Sequence, residues 1–128
     1  MDKRVLLSQI VTPDGTVLVS RYTHDYRHHT DKVTGEFYMI DGGSDYMRTS
    51  VNDVPAKDIT LYSTHSHKLI REIWCWGTYG ESGEEDLAYT PLKDMTNNHI
   101  INVLNTQPLK EHIRKVFNDE LDWRSEDV

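Results

Sequence analysis

The apolar positions of this chain change period along its length. From residue 4 to residue 92 they come in short runs, broken by Gly, Pro, Asp and Thr, which is the pattern of strands and turns. Residues 4–11 are rich in Val, Leu and Ile, and a second β-type run covers residues 17–22. Between them lies Thr12-Pro13-Asp14-Gly15-Thr16, where Pro13 fixes φ and Gly15 accepts a positive φ, so the two runs predict a hairpin. Residues 32–36 form a further turn, and 36–40 read as a strand. Asp41-Gly42-Gly43-Ser44 then turns into residues 46–51, a second hairpin-like unit. A loop with Pro55 follows, and residues 59–63 alternate at period two as a strand does. Residues 65–76 fit either a short helix running into a strand or more sheet. Residues 87–92 predict a short edge strand, because Pro91 cannot donate to a ladder.

After residue 95 the period becomes helical. Thr96 or Asn97 can cap a helix over 98–105, with Ile100, Ile101, Val103 and Leu104 as its apolar positions. Pro108 suits the first turn of a second helix. There Leu109, Ile113, Val116, Phe117 and Leu121 form one stripe, and Glu111 and Lys115 are spaced as an ion pair on the outer face. The expectation is one α+β domain over 1–128: an antiparallel sheet of hairpins (4–92) with two C-terminal helices (96–123) packed on one face, and an acidic tail at 124–128.

Composition narrows the function. Length, at 128 residues, permits a real core. A net charge of −7 opposes non-specific binding to nucleic acid or to an anionic membrane. The acid is concentrated in residues 81–86 and 119–127, so the first half is nearly balanced and a local anion site there stays open. Cys75 is the one cysteine; it excludes an internal disulfide and a thiolate metal site, fits a reducing cytoplasm, and between Trp74 and Trp76 reads as a buried, inert thiol. The first residues carry too short an apolar run for a signal peptide, and no segment reaches the length of a membrane span. The expected location is the cytoplasm.

Candidate chemistry concentrates in residues 20–31, which hold three of the seven histidines, two arginines and two aspartates. Were strand geometry to persist through Tyr26, His24 and Asp25 would point to opposite faces, but a turn is expected within 23–31, where strand formers are few. Three chemistries compete. A catalytic metal can draw on His24, Asp25, His28, His29, Asp31 and Asp41, or on His65 and His67 should they share a strand face, though no closed-spacing signature is present. Phosphate or nucleotide binding can draw on Arg21, Arg27, Arg48 and Arg71 for phosphate, on Gly42-Gly43 for a backbone anion nest, and on Tyr22, Tyr26, Tyr46, Trp74 and Trp76 for stacking. A two-histidine phosphodiesterase needs two His-x-Ser/Thr motifs. His28-His29-Thr30 supplies one, and His65-Ser66-His67 fails at its third position. Against each stands a plainer role: Gly-Gly as a turn, aromatics as core, charged residues as solvated surface. The glycine-rich stretch 77–83 reads as a loop or a lid over the site. It lacks the ending of a phosphate-binding P-loop.

Several segments together resemble a group of small uncharacterised proteins of tailed bacteriophages: residues 14–21, His24-Asp25-Tyr26, residues 38–43 with Tyr46 and Arg48, Trp76-Gly77-Thr78 with Gly80, and residues 99–107. The resemblance implies a phage origin and an accessory role in the host cytoplasm, such as countering host defence signalling. Thr49 stands where that pattern leads one to expect a second basic residue, which makes an anion site here less basic.

The expected function is therefore binding of a phosphorylated or nucleotide-like small ligand by Arg21, His24, Tyr26, His29, Asp41, Gly42, Gly43, Tyr46, Arg48 and Trp76, with no cofactor and with homo-oligomerisation open. The alternatives are a metal- or histidine-dependent phosphodiester hydrolase using His24 and Asp25, and an acidic inhibitor of a host protein. The balance leans toward binding over catalysis.

Overall fold

The computed structural model describes residues 3–79 and 84–126, so Gly80 to Gly83 of the glycine-rich loop and the last two residues of the tail lie outside the described residues. The chain is α+β, built from antiparallel hairpin sheets and three helices, two of them near the C-terminus. It forms two compact units, residues 1–64 and 65–128.

The first unit is all β. Strand β1 (Val5–Val11) pairs antiparallel with β2 (Val17–Ser20) across the predicted Pro-Asp-Gly turn. Two short strands, β6 (Lys57–Asp58) and β7 (Leu61–Tyr62), return along β1, with a register shift between Val5 and Leu7. A second sheet has the order β3 (Arg27–Thr30), β4 (Phe37–Asp41), β5 (Arg48–Thr49). The two sheets face each other through Ile10, Leu18, Tyr38 and Ile40, with Met47 and Ala56 packed alongside. Pleating therefore turns Tyr38 and Ile40 inward and Phe37, Met39 and Asp41 outward. The expected turn falls at residues 22–25, where Asp25 N–H bonds to the Tyr22 carbonyl at 2.9 Å, and pairing at Arg27↔Ile40, His28↔Met39, His29↔Tyr38 and Thr30↔Phe37 makes residues 27–30 a strand despite their few strand formers. Their intrinsic preference is weak, and the ladder to the strongly apolar β4 decides the outcome.

The second unit opens with helix α1 (His67–Ile73), whose start is set by Ser66 accepting from the Leu69 N–H. A hairpin of β8 (Cys75–Thr78) and β9 (Ala88–Pro91) follows, then helices α2 (Asn97–Thr106) and α3 (Glu111–Glu126). Residues 65–76 are thus the helix-into-strand alternative. Thr96 is the α2 cap, its side chain accepting from His99 N–H. Ile70, Trp74, Leu92, Ile100, Val103, Ile113, Val116 and Phe117 are buried, and Trp74 and Trp76 both meet Phe117 edge-on at 5.3 and 5.4 Å. Two local expectations fail. Pro108 precedes the helix, which starts at Glu111, with Ile113 and Arg114 N–H bonding back to the Lys110 carbonyl. Lys115 pairs with Asp119 at 2.6 Å in the expected i,i+4 spacing, rather than with Glu111. No helix among the described residues is long and apolar enough to cross a membrane.

Candidate ligand-binding site

The predicted site residues fall into three groups. The first is structural. Gly42 and Gly43 have φ of +103° and +55°, and a Cβ on either would sit within 2.2 Å of backbone atoms of Tyr46 or Tyr22. Their N–H groups are spent: Gly42 donates to the Thr23 carbonyl at 3.2 Å and Gly43 to Ser20 Oγ at 3.0 Å. Ser8 Oγ donates in turn to the Gly43 carbonyl at 2.7 Å. The Gly-Gly turn is therefore a junction locking β1, the 21–26 loop and the β4–β5 turn, and the expected anion nest is closed. Asp25 is buried and closes the 21–27 loop by accepting from Arg21 N–H (2.9 Å) and Arg27 Nε (2.8 Å). His24 is exposed and is not among its partners, so the two do not form a catalytic pair. Trp76 is half-buried against Trp74 and Phe117, a packing role in the second unit.

The second group holds His29. Its Nε2 lies 2.7 Å from Asp14 Oδ2 and 3.2 Å from Thr16 Oγ1. Atoms of Asp14, His29 and Asp31 lie within 4.8 Å of one another, close enough to suggest a metal centre. The carboxylates are, however, already saturated. Asp14 accepts from Thr12 Oγ1, Thr16 N–H and Lys32 N–H besides His29. Asp31 accepts from the N–H groups of Asp14, Val33 and Thr34 and from Thr34 Oγ1. The His29 hydrogen bond, then those of Lys32, Thr16 and Thr12, hold the Asp14 carboxyl well below the usual carboxylate range. Burial works to raise Asp31, but the donors from Thr34 and Asp14 outweigh it and keep it lowered too. Nor is this a hydrolytic triad: a triad bridges through opposite imidazole nitrogens, whereas here both contacts converge on Nε2. The cluster staples the β1–β2 turn to the β3–β4 turn. Asp14 was legible only as a turn residue; its long-range role follows from the pairing of two hairpins.

The third group forms a surface. On the outward face of the β3–β4–β5 sheet, Tyr26 and His28 have ring centroids 5.4 Å apart, and His28 stacks on Phe37 at 5.6 Å. Tyr26 and Phe37 remain 47% and 48% exposed. Scattered exposed aromatics are ordinary, but three exposed rings in continuous contact are not. Arg48, opposite Asp41 in the β4–β5 register, binds that buried carboxylate through Nε at 3.1 Å and Nη2 at 2.5 Å. The hydrogen bond and charge of Asp41 raise the Arg48 pKa. Carried one residue past Arg27↔Ile40, the β3–β4 register sets Tyr26 next to Asp41, on the same face as Arg48. The Arg48 side chain is 65% exposed, and the donors Asp41 does not take face solvent. Of the predicted residues, the structure thus unites Tyr26, Asp41 and Arg48, while Tyr46 is exposed with its backbone packed on Gly42. The sequence offers His28 as a metal ligand and Phe37 as a strand residue, and their shared place in the strip follows only from the β3–β4 register. The signal was the period-two spacing of Tyr26 and His28 and of Phe37 and Met39, which required the β3–β4 register to be read.

His65 and His67 belong to the second unit, and neither forms the strand pair expected of a metal site. His67 begins α1, and its Nε2 contacts Glu120 Oε1 at 2.9 Å. Glu120 is fully buried and also receives Arg71 Nε and Nη2 (2.9 and 3.0 Å) and Arg124 Nε (2.7 Å). Burial favours the neutral carboxyl, but the two arginines and His67 prevail and draw its pKa down to about 2. Arg124 extends the network to Asn97 Oδ1 and to the Leu92 carbonyl.

No family model, curated protein or solved structure matches the chain.

Proposed function

We propose that this is a ligand-binding protein that takes the planar ring of a nucleotide-like molecule on the outer face of the β3–β4–β5 sheet. The observation that carries the reading is the contiguous, half-exposed strip Phe37–His28–Tyr26, with Arg48 held on Asp41 on the same face of the sheet. A base stacks on the strip, and the free guanidinium donors of Arg48 bind the phosphate. Asp41 fixes Arg48 in place and keeps the site locally neutral, which favours a small anion over a polyanion, in line with the net charge of −7. The resemblance to tailed-phage proteins supports the host cytoplasm as the setting and a host signal as the ligand.

Isothermal titration calorimetry with nucleoside monophosphates and cyclic nucleotides tests this reading. At least one should bind, and Tyr26→Ala or Phe37→Ala should weaken it about five- to a hundredfold, the value of one stacked base. Both side chains are half exposed, so the fold should survive either change. Binding that is indifferent to both substitutions would sink the proposal.

A further inference from the structure

A cavity of about 230 Å³ opens elsewhere in the first unit, between the Ile10–Tyr38 core and the loop from β5 to β6. Ile10, Tyr38, Met47, Pro55 and Ala56 give it an apolar body. Its neutral polar lining is largely committed. Ser50 Oγ donates to Asn52 Oδ1 and accepts from Met39 N–H, and Asn52 Nδ2 donates to the Phe37 carbonyl. The loop over the cavity is held by Glu36, which accepts from the N–H groups of Asp53 and Val54, and by the Tyr38 hydroxyl, which donates to the Val54 carbonyl.

Among the described residues, one charged side chain lines this space, Asp58, and no lysine, arginine or histidine does. Asp58 accepts from Thr60 N–H at 2.9 Å and Tyr62 OH at 3.2 Å, which leaves acceptor capacity on both oxygens. An apolar cavity of about 150 Å³ accommodates benzene, so this one has room for a six-membered ring and a short arm. An apolar body with a single carboxylate at its wall is complementary to one kind of small molecule. We infer that the cavity is a second binding site, for a small organic ammonium ion whose ring or alkyl body fills the apolar part and whose N–H donors reach Asp58.

This inference does not depend on the sheet-face site, and the same preparation can test both separately. The probes are phenethylamine, its neutral isostere 2-phenylethanol, and phenylacetate, titrated while the Met47 and Ala56 methyl signals are followed by NMR. Phenethylamine should shift both methyls and bind about three- to fivefold more tightly than the alcohol, a modest ratio because Asp58 is exposed; phenylacetate should bind more weakly than either. Asp58→Asn retains the acceptor for Thr60 and should erase the preference for the amine while leaving the alcohol unaffected. Ala56→Leu should fill the cavity and abolish all three titrations. Methyls that stay unmoved at millimolar amine would overturn the inference, as would equal affinity for the three probes or an amine preference that survives Asp58→Asn.

Discussion

At the scale of single residues, the site is shaped as much by what glycine and aspartate do locally as by the groups that meet a ligand. Gly42 and Gly35 both have positive φ, +103° and +74°, yet of the two only Gly42 lies against backbone, where a Cβ would come within 1.7 Å of the Tyr46 carbonyl oxygen. Gly35 has open space. Gly42→Ala should therefore destabilise by about 3 kcal/mol in urea melts and Gly35→Ala by about 1 kcal/mol, the latter reflecting φ alone. Equal losses would mean that the junction with the β4–β5 turn is not close-packed. Asp14 has its own signature. Its folded pKa lies below the ordinary 3.8, so its contribution is complete above that value and disappears as the pH falls below it. Asp14→Asn should flatten the acid limb of stability against pH, measured by thermal melts between pH 2 and 5; an unchanged limb would argue against the staple.

At the scale of elements, α3 carries the clearest conflict between pattern and outcome. Ile113, Val116 and Phe117 form the predicted apolar stripe, and Glu120 occupies its next position, fully buried. The chain tolerates this because His67 and Arg71, one turn apart on α1, and Arg124 on α3 surround the carboxylate. Glu120→Gln should cost about 3 kcal/mol, since it leaves two arginines facing a weaker acceptor. The folded pKa of about 2 lies below the ordinary 4.5, so the stability Glu120 provides is complete above pH 4.5 and is lost as the pH falls toward 2. The variant should lack that slope in urea midpoints taken across the same range. Hairpin β1–β2 and the Thr96 cap were legible because each is fixed by its own short sequence, whereas residues 65–76 fitted helix-into-strand and sheet alike until Ser66 capped α1. Strand β3 was not legible, because Arg27-His28-His29-Thr30 becomes a strand only by pairing with β4. The same limit governed the candidate site. The density of His, Arg and Asp in residues 20–31 was real, but register divided it. Asp25, Asp31 and His29 went into loop closure and stapling, and Tyr26 and His28 onto the open face. Glu120 offered a signal of its own, an acid at apolar spacing, whose partners 49 and 53 residues away could be matched only in space.

At the scale of the whole molecule, charge and surface point the same way. A chain at −7 whose exposed arginines Arg27 and Arg48 are each tied to a buried aspartate is poorly suited to a polyphosphate backbone. Single-stranded homopolymer DNA should show no retention in filter binding at physiological salt, while a mononucleotide still binds; tight, salt-sensitive DNA binding would instead require a polyanion track. The most direct test of the sheet-face site is a two-dimensional amide NMR titration with a panel of nucleoside monophosphates. Binding there predicts saturable shifts centred on Tyr26, His28, Phe37, Met39 and Arg48, with the buried face of the same sheet, Tyr38 and Ile40, much less affected. Shifts confined to other surfaces, or none with any member of the panel at millimolar concentration, would contradict it.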